Sequence, residues 1–220
     1  MCDCIKRTGE IITETRSVKA FDRLQVEEDV NVFITDAASQ EVTVEGGKNI
    51  VPLIETVVDD GTLIIRNHNK CNWARAYNKP LNVYIKTPGL SYIRSNGTGD
   101  IKSLNTINKD SLDITIDNSG SIELSVNCTS VVSHIFGCGD LTMHGHTYQN
   151  ASSIGGTSFL YCKDLVSTYT WVQSFTLGTC YVNASGLLIC RFDDKGDIHC
   201  YGHPTTVQQA HYGPGQLYME

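Results

Sequence analysis

A short unit, glycine followed by a small or acidic residue and then an aliphatic one, returns through the second half of the chain. It reads "GTGDI" at 97–101, "NSGSIEL" around Gly120, "GCGDLTM" around Gly139 and "KGDIHCYG" around Gly196. Weaker copies are "GGTSFLY" near Thr157, "LGTCYV" near Thr179 and "GPGQLYM" near Gly215. Taking Gly99, Gly120, Gly139, Thr157, Thr179, Gly196 and Gly215 as equivalent gives steps of 21, 19, 18, 22, 17 and 19 residues, a period of about 19. A step this short has room for two or three short strands and their turns but not for a helix plus a strand, so consecutive units are expected to stack as coils of a β-solenoid. Six steps at ~4.8 Å per coil build a stack roughly 30 Å long. Ile101, Ile122, Leu141 and Ile198 are the predicted inward ladder. Glycine is expected at the turn for its freedom to take positive φ, with the neighbouring Asp, Ser or Asn bonding nearby backbone N–H groups. The repeat also decides against reading "SNGTGDIKSL" as a phosphate-cradling loop, which occurs once, between a strand and a helix.

From Arg16 to Tyr92 the apolar pattern has period two, in "LQVEEDVNVFITD", "QEVTVEGG" and "LNVYIKTPG", which predicts strands. In "LIETVVDDGTLIIRN" the Asp60-Gly61 pair separates two β-branched runs; a type I′ turn needs positive φ at both central residues, so a hairpin tip is placed there. Residues 67–80, carrying Trp73 and Tyr77, have no clean period and read as a loop. The expected class is all-β. Residues 16–220 form one domain, with a strand-rich portion at 16–93 and repeats at 94–220, preceded by an N-terminal tether at 1–15.

Composition removes several partners. The formal charge is −7, with 17 Lys and Arg against 24 Asp and Glu and no basic run, so the electrostatic footprint of a nucleic-acid or anionic-membrane binder is missing. No stretch approaches the ~20 apolar residues of a membrane-spanning helix. The opening Met1-Cys2-Asp3-Cys4 suits a mature lipoprotein acylated at Cys2, and equally suits two exposed cysteines at a frayed terminus. Of nine cysteines, Cys128, Cys138, Cys162, Cys180, Cys190 and Cys200 fall among the repeats. Their spacing fits no metal site, and they are expected to pack as small hydrophobes, with one or two disulfides if the compartment is oxidising.

Histidines, carboxylates and aromatic residues carry the candidate chemistry. His144 and His146 lie two apart, and His199, Cys200 and His203 offer a second set, but several coils separate the two groups, so solvent-facing or capping imidazoles are the expectation and no metal site is assigned. Asp59, Asp60, Asp100, Asp140, Asp193, Asp194 and Asp197 invite a glycosidase or lyase reading, yet most adjoin turn glycines, where turn chemistry is expected. No Gly-x-Ser-x-Gly elbow occurs and no cofactor is implied. Tyr148, Tyr161, Tyr169, Trp171, Tyr181 and Tyr201 are the candidate ligand-binding residues, because aromatic rings on a solenoid face suit sugars and proteins. The competing reading is rings that flank strands and cover the edges of the interior.

Taken in order, "RSVKAFDRLQVEEDVNVFIT", "VPLIETVVDDGTLIIRN", the "GTGDI" and "SGSI" turns and "KGDIHCYGHPTTVQQAHYGPGQL" resemble one family over Arg16 to Leu217. It is the "putative auto-transporter adhesin, head GIN domain" family of the Bacteroidetes cell envelope. The resemblance implies a right-handed parallel β-helix-like fold, export, frequent lipoprotein anchoring in the envelope, at the periplasm or outer membrane surface, and an adhesive or surface role. The chain departs from the pattern at Thr157 and Thr179, which stand for glycine. The functional expectation is a non-enzymatic cell-envelope binding or adhesion module recognising a surface glycan, protein or lipid. The alternatives are a carbohydrate-active β-helix enzyme and a structural or lipid-associated envelope scaffold. Poorly capped solenoid ends would favour homo-oligomers.

Overall fold

A computed structural model describes residues 8–69 and 81–220; Cys2, Cys4, Trp73 and Tyr77 lie outside the described residues. The first half contains β1 (Ile11–Arg16), β2 (Arg23–Glu28), β3 (Asn31–Asp36), β4 (Glu41–Gly47), β5 (Ile54–Asp59), β6 (Thr62–Asn67), β7 (Asn82–Thr87) and β8 (Tyr92–Gly97). Long strands follow: β9 (Ile101–Ile116), β10 (Ile122–Gly137), β11 (Leu141–Gly156), β12 (Leu160–Thr176) and β13 (Cys180–Phe192). Three short ones, β14 (Ile198–Cys200), β15 (Thr206–His211) and β16 (Leu217–Met219), finish the fold. Strands account for 69% of the described residues, and they wind a β-solenoid of about 7 turns.

Successive coils pair in parallel, and the predicted ladder is present. Val83, Val32, Ile101, Ile122, Leu141, Leu160, Cys180, Ile198 and Leu217 stand in one continuous column. A second column runs Leu63, Leu24, Ile93, Ile114, Ser133, Ser152, Val172, Cys190 and Gln209. All but the terminal Leu217 and Gln209 are buried. Each fully buried Leu or Ile contributes about 1.5–3 kcal/mol relative to an exposed one, so the columns are the main source of stability. The middle of the second column is polar: Ser133 Oγ donates to Ser152 Oγ at 2.8 Å, and Ser152 to Asn150 Oδ1 at 3.2 Å, which satisfies hydroxyls that would otherwise be costly to bury.

The turn residues correct the sequence reading in two ways. The positions equivalent to Gly99, Gly120, Gly139, Gly196 and Gly215 are Ser158 and Gly178, not Thr157 and Thr179, because each lies two residues before its rung of the ladder. Moreover, none of these glycines has positive φ. Glycine is required by close approach instead: a Cβ on Gly120 would overlap the carbonyl of Gly99, one on Gly139 that of Gly120, and one on Gly196 that of Gly178. Beside them, Asp100, Asp140 and Asp197 do not bond their own turn. Their Oδ1 atoms accept the N–H of Ser121 (3.1 Å), Phe159 (2.8 Å) and Gln216 (2.9 Å), each in the next coil.

The first half is more than strand-rich; it is part of the solenoid, threaded out of sequence order. Coil β2–β3 lies between β6–β7 and β8–β9: Leu24 pairs both Leu63 and Ile93, and Val32 pairs both Val83 and Ile101. The first coil in the chain is therefore second in the stack. Antiparallel strands cover the outermost coil, with β4 on β7, β5 on β6 and β1 on β4. The β5–β6 hairpin turns at Asp60 (φ 42°) and Gly61 (φ 70°), both left-handed as a type I′ turn demands. The expected end of the tether at residue 15 falls inside β1, which pairs with β4 from Ile11 onward.

Cys128, Cys162, Cys180, Cys190 and Cys200 are buried, as a small-hydrophobe role predicts; Cys138 is exposed, and all six are free thiols. Burial pushes the Cys180 and Cys190 thiols up to about 12.

Candidate functional site

Because side chains alternate along a strand, the residue after each ladder rung points outward. That outer row reads Tyr84, Phe33, Lys102, Glu123, Thr142, Tyr161, Tyr181, His199 and Tyr218. It begins with Tyr84 and Phe33 stacked at 5.2 Å and 20°, and its middle is ionic, with Lys102 Nζ 2.9 Å from Glu123 Oε2. The C-terminal part is aromatic. Tyr161 and Tyr181 stack at 5.6 Å and 8°, Tyr181 and His199 lie 5.3 Å apart, and His199 and Tyr218 stack at 4.8 Å and 22°. Phe159 extends the row on Tyr161 (5.8 Å, 7°), and Tyr201 leans on Tyr181 at 6.4 Å. His199 Nδ1 lies 2.6 Å from Glu220 Oε1. Partial burial, with Asp140 and Tyr181 nearby, holds the Tyr161 phenol above its usual range. Stacked rings cover one another's faces, so this row presents ring edges and phenol hydroxyls to solvent.

A second aromatic group lies further along the same coils. Tyr148 and Tyr169 meet edge to face at 4.9 Å, and the bond between their hydroxyls raises the Tyr148 phenol. Gln149, Tyr169, Thr170, Trp171, Leu187 and Ile189 line an adjoining open recess of about 250 Å³. This is smaller than the roughly 300–1,000 Å³ of a drug-sized pocket, and suits one ring or a short acyl segment. The six predicted aromatic residues thus divide into two groups of three: Tyr161, Tyr181 and Tyr201 in the row, and Tyr148, Tyr169 and Trp171 at the recess. Sequence reading missed Phe159 and Tyr218 and took His199 for a metal candidate. The usable signal for His199 and Tyr218 was their place, one residue after a rung.

The metal candidates do not converge. His144 sits beside Asp164 at 3.8 Å, and the plain strand alternation between it and His146 is broken at Gly145, whose φ is +110°. The Ile198 rung is three rungs from Leu141, His199 faces Glu220, and Cys200 is buried with its Sγ 3.9 Å from the Gly202 carbonyl. His203 has no part in a cluster with them. Among the described residues no three His, Cys, Asp or Glu side chains gather as metal ligands.

Of the seven candidate carboxylates, Asp60, Asp100, Asp140, Asp193, Asp194 and Asp197 are occupied structurally. Asp60 pairs with Arg23 at 3.2 Å, Asp193 with Arg191 at 2.9 Å, and Asp194 Oδ1 accepts the Lys195 N–H at 2.9 Å. Arg191 holds the Asp193 carboxyl below its usual range, and Glu123 is lowered by Lys102. Glu55 is lowered by His68, at 3.0 Å, and then by Arg66, which also reaches Glu27 at 2.8 Å. These shifts run opposite to that of a general acid.

No curated protein matches the chain. Solved structures do match its fold. A putative adhesin from Bacteroides fragilis NCTC 9343 has a TM-score of 0.88 at 23% identity, covering 96% of this chain and 97% of its own. A putative adhesin from Parabacteroides distasonis ATCC 8503 has a TM-score of 0.74 at 18% identity, covering 96% and 98%. A putative lipid binding protein from the same organism has a TM-score of 0.71 at 15% identity, covering 95% and 97%. The family described as "Putative auto-transporter adhesin, head GIN domain" matches residues 20–204, and with its ordered turns and nine-rung ladder in place, the chain belongs to that head GIN domain family.

Proposed function

We propose that the chain is a non-enzymatic recognition module of the cell envelope, with the aromatic row on the C-terminal coils as its contact surface. The single observation that carries the reading is the row itself: Tyr161, Tyr181, His199 and Tyr218 hold rings at the coil spacing on one side of the stack, flanked by Phe159 and Tyr201. A rigid sheet holds those edges and hydroxyls without loss of side-chain entropy on binding, which favours a flat partner such as a glycan chain or a protein surface. The family name and the names of the fold neighbours support an adhesive role outside the inner membrane. Anchoring through an acylated Cys2 is part of the same proposal.

The deciding experiment is binding of the purified chain to glycans, matrix proteins and vesicles, repeated with a Tyr161→Ala, Tyr181→Ala double variant. Saturable binding that falls at least tenfold in the variant supports the reading. Binding that is unchanged rejects the row as the contact surface, and saturable turnover of a polysaccharide would replace recognition with catalysis. A second reading, association with lipid, is favoured by the apolar recess at Trp171, Leu187 and Ile189. It predicts vesicle binding that is lost on Trp171→Ala and kept in the tyrosine variant.

A further inference from the structure

The two ends of the stack are finished differently. At the N-terminal end the outermost strands, β1 and β5, each pair on one side only among the described residues and carry charged residues: Glu14 and Arg16 on β1, Glu55 and Asp59 on β5. Charges on an edge strand deter pairing with another sheet. At the other end, among the described residues, β15 ("TVQQAH") pairs only with β13 and β16 ("LYM") only with β14, and neither carries Asp, Glu, Lys or Arg. Val207, Gln209 and His211 continue the inward columns of Leu188, Cys190 and Phe192, yet Val207 is 39% exposed, Tyr212 73% and Met219 50%. His211 stacks on Phe192 at 4.5 Å and 9°.

The direction of the free hydrogen-bonding groups follows from the ladder. The Tyr212 N–H donates to the Phe192 carbonyl on the β13 side. Backbone groups alternate sides along a strand, so the N–H and C=O of Gln208 and Ala210 also face β13, and those of Val207, Gln209 and His211 face the open edge. The residues whose side chains point inward are therefore the ones that offer backbone bonds to a newcomer.

We propose that this edge pairs with the same edge of a second copy of the chain, antiparallel, about a two-fold axis through Gln209. In that register Gln209 exchanges both backbone bonds with Gln209 of the second copy. Val207 faces His211, and Gln208 faces Ala210, so inward residues meet inward residues on both sides. A register centred between Gln208 and Gln209 would set inward residues against outward ones, at odds with the pleat. The second copy is the occupant because the edge is self-complementary: it is uncharged within a chain of net charge −7, so two copies meet there without like-charge repulsion. The two-fold operation also closes the assembly at two rather than propagating a fibre.

Sedimentation velocity over a wide concentration range tests the proposal, with the wild-type chain, Gln209→Pro, Gln209→Lys and, at the opposite end, Val57→Lys on β5. Proline removes an N–H aimed at the open edge and spares the β13 ladder; lysine sets two like charges against each other on the axis. The expected result is a species of twice the 24.2 kDa chain mass at high concentration for wild type and Val57→Lys, and monomers for both Gln209 variants, each with far-UV circular dichroism unchanged. A wild-type monomer at every concentration overturns the proposal. So does a dimer that survives both Gln209 substitutions, or an assembly that keeps growing beyond two copies.

Discussion

At the scale of the residue, the turn glycines show how a correct pattern can carry the wrong cause. The period and the rungs were legible because glycine and aliphatic residues recur two positions apart, but the glycines were assigned to positive φ, whereas the constraint is the carbonyl of the coil below. Gly120→Ala should therefore destabilise the fold by about 1–3 kcal/mol, as overpacking does, read as a lowered urea midpoint at unchanged slope. Ser158, the member of that column with a side chain, has a buried hydroxyl with no protein partner. Ser158→Ala should be neutral or raise stability by about 1 kcal/mol; a clear loss would mean that a bound water satisfies the hydroxyl. The thiols give a pH dependence of definite sign. Cys180 and Cys190, ordinarily near 9.0, are pushed up to about 12 by burial, so the folded state favours the neutral form. Their contribution is in full force below pH 9 and is lost as the pH climbs from about 9 toward 12. The urea midpoint should fall between pH 8 and pH 10.5, and fall less in Cys180→Val. In native protein at pH 8, peptide mapping after alkylation should show Cys138 modified and Cys162, Cys180 and Cys190 protected.

Elements were read well where the signal is local and poorly where it depends on a distant partner. Asp60-Gly61 announced its hairpin, and Gly61→Val should cost about 1–2 kcal/mol because an L side chain is strained at φ 70°; equal stability would mean that the turn had changed type. Nothing local tells β2 that its neighbours are β6 and β8, since the pairings join Leu24 to Leu63 and to Ile93, and an insertion hides the repeat. The grouping of the aromatic residues was hidden for a related reason. Register shifts inside β12, between Tyr161 and Val166 and between Ser167 and Tyr169, reset the pairing along the strand. Tyr161 pairs with Tyr181 ahead of these shifts, whereas beyond them Tyr169 pairs with Leu187 and meets Tyr148 on the β11 side. A periodicity counted along the chain cannot carry across such bulges.

At the scale of the whole molecule, the described residues form a one-dimensional stack with an antiparallel cover at one end and, among them, an unpaired strand edge at the other. In such arrays stability is carried mainly by contacts between neighbouring coils, so the two ends should respond differently to truncation. A chain ending at Gly202, without β15 and β16, should remain folded with a lower urea midpoint. A chain lacking residues 1–36 loses an interior coil and should not fold, which circular dichroism would report as loss of the strand signal; survival of a cooperative transition would contradict the threading.

That threading also dictates an order of assembly. Joining Leu24 to Leu63 closes a loop of 39 residues, while each later coil joins partners about 19 apart, and on chain statistics that first closure costs about 0.6 kcal/mol more than any later one. A polypeptide delivered N-terminus first holds Leu24, Val26, Val32 and Ile34 without neighbours until 62–67 and 82–87 have arrived. Nucleation thus waits for the middle of the chain, and growth then proceeds one coil at a time toward the C-terminus, so the last surface to be completed is the edge formed by β15 and β16.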